Sequence, residues 1–117
     1  MLPKKYRLLK ERDFERVYKK GSSFAEKFVV CKILKNDLGL PRFGFSIGTK
    51  ISKKAVSRNR LRRQFQEIAR LAVNDIKNGV DIIVLPKKDA EGKKNKEIKE
   101  AFLKILKKSG IMELKES

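Results

Sequence analysis

The sequence predicts an α+β fold with the element order α-β-β-α-β-α. Three observations carry this. Apolar residues recur at helical spacing in segments 10–20, 55–72 and 97–108. Segments 28–34, 42–48 and 80–86 are short runs of β-branched and aromatic residues that read as strands. The middle helix joins the second strand to the third, which implies a parallel pair in a mixed sheet and a two-layer α/β sandwich.

In segment 10–20, Phe14, Val17 and Tyr18 fall at i, i+3 and i+4, one helical face, and Gly21 is a natural stop. In segment 28–34, Val29, Cys31 and Ile33 form a uniformly apolar face that should meet the core. The other face, Phe28, Val30, Lys32 and Leu34, contains a charge, so it should be only partly covered. Residues 36–41 (NDLGLP) are turn chemistry. In segment 42–48, Phe43, Phe45 and Ile47 point one way and Gly44, Ser46 and Gly48 the other. Small residues along one strand face mean that something approaches the backbone closely, either a packed helix or a bound ligand.

Residues 49–54 form a basic connector into the longest helix, 55–72, whose narrow apolar stripe is Leu61, Phe65, Ile68 and Ala72. Asn78-Gly79 marks a turn. Val80 to Pro86 reads as a mostly buried strand, with Asp81 taken as a turn residue at its start. Residues 87–96 read as a solvated loop. Ile98, Ala101, Phe102, Ile105 and Leu106 then define the last helix. The expectation is a single domain over 1–117, with its core at about 7–108 and a frayed tail at 109–117.

Composition narrows the function. The chain has 117 residues and a formal charge of +17, with a pI near 10.2. Such a surface attracts polyanions, and nucleic acid is the leading partner. There is no histidine, which removes the commonest general base and metal ligand. Cys31 is alone, so neither an intrachain disulfide nor a thiolate zinc site can form. No apolar run approaches the ~20 residues that span a bilayer, and no signal peptide is visible. The chain reads as cytoplasmic. No glycine-rich phosphate loop, Ser-His pair, Cys-His pair or paired carboxylates suggest chemistry, so the expectation is no catalytic residue and no metal site in the polypeptide.

The informative segment is Lys50 to Arg63, KISKKAVSRNRLRR. Seven of its fourteen residues are Lys or Arg and none is acidic. Exposed helical faces normally interleave acids with bases. Mutually repelling cations on one helix make sense when an external anion neutralises them; the bland alternative is a solvated basic face. The helix uses arginine, whose planar fork can bridge phosphate oxygens or stack on a base. Asn59 adds a donor and an acceptor. Phe14 and Tyr18, with Phe28, Val30 and Lys32 of the strand, could form a platform for unpaired bases, although Phe14 could equally be the core face of its helix.

These residues resemble the protein subunit of bacterial ribonuclease P. Ala55-Val56-Ser57-Arg58-Asn59-Arg60-Leu61-Arg62-Arg63 is similar to the family's AVxRNRx(K/R)R helix. Arg42-Phe43-Gly44-Phe45-Ser46-Ile47 resembles its R-h-G-h-S/T-V strand (h apolar), Asp13-Phe14 with Val17-Tyr18 and Gly21 its first helix, and Val80 to Val84 its "DIVV" strand. The likeness spans roughly residues 7–108 in order. It implies a left-handed βαβ crossover, as in the second domain of ribosomal protein S5, against the usual hand. It implies a subunit that joins a catalytic RNA and assists Mg²⁺-dependent removal of the 5′ leader from precursor tRNA, the RNA holding the Mg²⁺ and doing the chemistry. Lys50, Lys53, Lys54, Arg58, Asn59, Arg60, Arg62 and Arg63 would contact the catalytic RNA. Lys10, Phe14, Tyr18, Val30 and Lys32 would line the leader cleft. Tyr18 stands where Phe is common, Lys32 where an aromatic is frequent, and Thr49 where Lys is frequent. No DNA or membrane partner is expected. The rival reading is a ribosome-associated or general structural RNA-binding protein.

Overall fold

The computed structural model describes residues 2–76 and 79–112. The elements are α1 (Glu11–Lys20), β1 (Ser22–Glu26), β2 (Val29–Lys35), β3 (Arg42–Phe45), α2 (Ala55–Ala72), β4 (Val80–Pro86) and α3 (Asn95–Lys108). One mixed sheet runs in the order β1-β2-β4-β3. β2 lies antiparallel to both β1 and β4, and β3 lies parallel to β4 as the helical crossover required.

The predicted stripes are the buried ones. Leu61, Phe65, Ile68 and Ala72 of α2 pack with Ile98, Ala101, Phe102, Ile105 and Leu106 of α3 over Val29, Cys31, Ile33, Phe43, Ile82 and Val84. The Phe102 ring meets those of Phe65 and Phe43 edge-on, at 5.6 and 6.1 Å between centroids. α3 begins at Asn95, two residues before its first predicted position. α1 lies on the opposite face, where Val17 and Leu8 meet Ile83, flanked by Phe14, Leu34 and Leu85. The expected two-layer sandwich is thus a full helical layer on one face and a single short helix over part of the other.

Three features depart from the sequence reading. β1 was not foreseen. Its sequence, SSFAE, has no apolar run, and it is an edge strand that needs only one paired neighbour. A two-residue turn, Lys27-Phe28, joins it to β2, with Lys27 in the left-handed region at φ 50°. Phe28 consequently precedes β2, escapes its alternation and packs in the core, where the open strand face had been expected to carry it. The core also reaches beyond 7–108. Leu2 is fully buried, and Met112 is buried beside Ile76, with which it pairs. The segment holding Leu2 is tied down by hydrogen bonds: the Arg7 side chain donates through Nε to the Leu2 carbonyl at 2.7 Å, and the Leu8 N–H donates to the Phe43 carbonyl at 2.8 Å. The tail thus packs as far as Met112; positions 113–117 and Asn78 of the predicted turn lie outside the described residues. Gly79 shows why that turn needs glycine, since a Cβ there would lie 2.3 Å from the Asn36 side-chain oxygen.

Asp81 is the third departure. It is no turn residue but an inner position of β4, fully buried. Arg42, directly opposite in β3, donates to both of its oxygens at 2.8 Å. Asn36 and Arg16 each add a bond at 2.8 Å. Burial alone would push the carboxyl pKa up, but the bonds from Arg42, Asn36 and Arg16 outweigh it and hold the group below its ordinary value. Among the described residues no helix is long and apolar enough to cross a membrane.

Two outcomes follow from these buried groups. Asp81→Asn should cost about 3 kcal/mol, because it takes the buried charge partner away from Arg42 and Arg16. The carboxylate's contribution is present above its unfolded pKa near 4 and is lost as pH falls, so in denaturant titrations the gap between the two proteins should narrow below about pH 4. Burial pushes the Cys31 thiol up to about 12. Alkylation by iodoacetamide at pH 8 should therefore be negligible until denaturant is added, as mass spectrometry would show.

Candidate nucleic-acid interface

The basic helix is built onto the core by its own stripe, so its polar residues are left facing outward. No acidic residue occurs between positions 49 and 66. Lys54 is the N-cap of α2, and the connector before it folds against the first turns. The buried Ser52 hydroxyl accepts from the Lys54 N–H at 3.2 Å, and Arg58 donates to the Ser52 carbonyl at 2.9 Å. Arg58 therefore spends one donor on holding the connector in place. Arg62 donates to the Asn59 side chain at 3.1 Å, one turn away on the same face. Asn59, Arg60 and Arg63 are exposed. Among the described residues, no acid forms an ion pair with Arg58, Arg60, Arg62 or Arg63.

Arg70 differs. It pairs with Glu67 at 2.5 Å, which separates it from the unpaired arginines earlier in the helix. Lys50, Lys53 and Lys54 wall one concavity together with Ser57, Lys88 and Glu91. Lys88 comes from segment 87–96, whose sequence reads as a solvated loop. Its neighbours in the chain carry no periodic signal, and only the fold brings it beside the connector.

The expected cleft residues come from α1 and β2, but they do not all face one strand. Tyr18 is 39% exposed, and the Lys32 ammonium lies 5.7 Å from its ring centroid. Val30 and Lys32 are half-buried on β2, and Lys10 is exposed at the N-cap of α1. Phe14 instead lies over β3. A Cβ on Gly44 would come within 2.5 Å of its ring, so at Gly44 the small-residue face of the strand receives a packed helix. Nothing lies within 4 Å of such an atom at Gly48. Phe14 also lines a cavity of about 190 Å³ with Leu9, Phe45, Gln66 and Arg62. Phe14 of α1 and Arg62 of α2 therefore border one concave surface.

Comparison with known proteins decides what this surface belongs to. Residues 2–110 match the family model described as Ribonuclease P. The chain is 38% identical over 105 residues to the ribonuclease P protein component of Clostridioides difficile (strain 630), covering 89% of this chain and 91% of that one. The chain belongs to the ribonuclease P protein family. Solved structures agree. The RNase P protein of Staphylococcus aureus superposes with a TM-score of 0.84 at 30% identity, covering 92% of this chain and 98% of that chain. That of Thermotoga maritima gives 0.79 at 33%, covering 87% and 96%. The chain is accordingly a protein subunit of ribonuclease P, the RNA–protein endoribonuclease of tRNA 5′ maturation, and its partner is the ribonuclease P RNA.

Among the described residues, no group of three or more His, Cys, Asp or Glu is placed to hold a metal ion. Asp81 is buried with both oxygens held by arginine, and Asp13 faces Arg42 at 3.4 Å. A hard cation needs several oxygen ligands free of competing cations.

If the connector and helix cations neutralise ~6 phosphates, affinity for the ribonuclease P RNA should fall about 10³-fold between 50 and 200 mM monovalent salt. Replacing both Arg60 and Arg63 by Ala should shallow the slope of log K against log salt by about 2. Filter binding across a salt series reads both.

Proposed function

We propose that this subunit binds the catalytic RNA through the connector and the basic first half of α2, and holds the 5′ leader of precursor tRNA along α1 and β2. The cleavage is then carried out by the RNA with its own Mg²⁺. One observation carries the reading: the unpaired cations of Lys50 to Arg63 share a concave border, through Arg62, with the Phe14 flank of α1. Two polyanions, catalytic RNA and substrate, must approach each other closely for the leader to be cut. A slab of fixed positive charge lowers that repulsion, and its arginine forks can each grip two phosphate oxygens.

The leader side has a different chemistry. Tyr18 offers an exposed ring, and Lys32 beside it supplies a phosphate contact or caps the ring. Stacking on one ring tolerates any base, which suits a subunit that meets many leaders. Arg58, Asn59 and Arg62 sit on the RNA side. Their role is to position the RNA's active region; among the described residues no group of three or more His, Cys, Asp or Glu is placed to hold a metal there.

Reconstitution tests this directly. The chain with a ribonuclease P RNA should cleave precursor tRNA at the mature 5′ end, and the chain alone should not. Cleavage without RNA would overturn the assignment of chemistry. Arg62→Ala should lower the cleavage rate more at low Mg²⁺ than at high Mg²⁺; an equal loss at both would place Arg62 away from the RNA's metal-binding region. Tyr18→Ala should weaken precursor binding about fivefold while leaving mature tRNA unaffected.

A further inference from the structure

We propose that the Asp81–Arg16–Arg42–Asp13 cluster is a positioning device for the leader site. It sets the roll of α1 and so the aim of Phe14 and Tyr18. This rests on the leader reading above and assigns a role to residues outside it.

The cluster joins three elements. Asp81 belongs to β4, Arg42 to β3, and Asp13 and Arg16 to α1. Arg42 spans the gap, donating to Asp81 twice at 2.8 Å and reaching Asp13 at 3.4 Å. Arg16 returns from the helix to Asp81 at 2.8 Å. Two arginines balance two aspartates in a chain of net charge +17. These guanidiniums are therefore committed internally, unlike those of the basic helix.

Placement around α1 gives the cluster its leverage. At about 100° per residue, Asp13 and Arg16 fall on one side of Val17 while Phe14 and Tyr18 fall on the other. Val17 is fully buried and supplies the apolar contact beneath the helix. Apolar contact is non-directional and resists rolling weakly. Directional ion pairs on one flank remove that freedom. A roll of about 15° would move a ring lying ~6 Å from the helix axis by about 1.5 Å, enough to spoil a stacking geometry. Stability alone does not account for the arrangement, because well-packed apolar residues commonly replace a buried ion pair at no loss.

Arg16 is the residue to test. Its side chain is 42% exposed, and its removal leaves Asp81 bonded to Arg42 and Asn36. Arg16→Met keeps the apolar stem and removes the charge. Arg16→Lys keeps one donor, as the single Nη2 contact requires. Each variant, with folding checked by circular dichroism, is assembled with ribonuclease P RNA. Dissociation constants are then measured for RNA assembly, precursor tRNA and mature tRNA. We expect Arg16→Met to weaken precursor binding about fivefold, the scale of one lost stacking contact, with assembly and mature tRNA binding unchanged. Arg16→Lys should recover most of the loss. An unchanged ratio of precursor to mature affinity in Arg16→Met, or equal weakening of both, would overturn the inference. Equal affinity of the unaltered holoenzyme for both tRNAs would instead overturn the leader reading, and this inference with it.

Discussion

Strand β4 is the constraint that every other element satisfies. It is hydrogen-bonded on both edges, antiparallel to β2 and parallel to β3. Its alternation feeds both faces of the sheet. Ile82 and Val84 enter the cluster under α2 and α3, while Ile83 enters the one under α1. Asp81, one residue before Ile82, places a carboxylate on the α1 side where no water reaches it. The position of α1, and with it one proposed RNA surface, therefore depends on a strand buried at every position but Leu85.

The molecule separates its positive charge into two populations. Arg16, Arg42 and Arg70 are satisfied by acids on the protein itself. Lys104 and Lys108 share Glu26 at the β1 edge, which also shields that edge from pairing with another chain. Among the described residues, the cations of the connector and of the first half of α2 have no such partners. A strongly charged chain can fold because its core is built from stripes free of charge. What remains on α2 is repulsive by itself, and the RNA we propose to bind there would supply the missing counter-charge.

Much of this was legible in the residues. The helix over 55–72 and the strand over 80–86 emerged with their observed limits, because each has long, unambiguous periodicity or apolar continuity. The basic face of α2 was legible for the same reason: once a stripe is assigned to the core, the remaining residues are assigned to the surface. β1 was not, since an edge strand of polar and small residues carries no periodic signature. Phe28 was misassigned with it, because its side chain obeys the turn and not the strand. Asp81 was misread since an isolated acid beside a valine looks like a turn, and its arginines lie 39 and 65 residues away.

Sequence alone thus determined the composition of each surface: which helix is basic, which faces are apolar, and that there is no histidine and no second cysteine. Those properties are local, set by side-chain type and spacing. Only the tertiary structure decided what lies beside what. It set Phe14 over Gly44, brought Tyr18 to Lys32, drew Lys88 to the connector, and closed Asp81 between two arginines. Such neighbours come from chain segments distant in sequence, and their meeting depends on sheet order and helix placement, which no window of residues encodes.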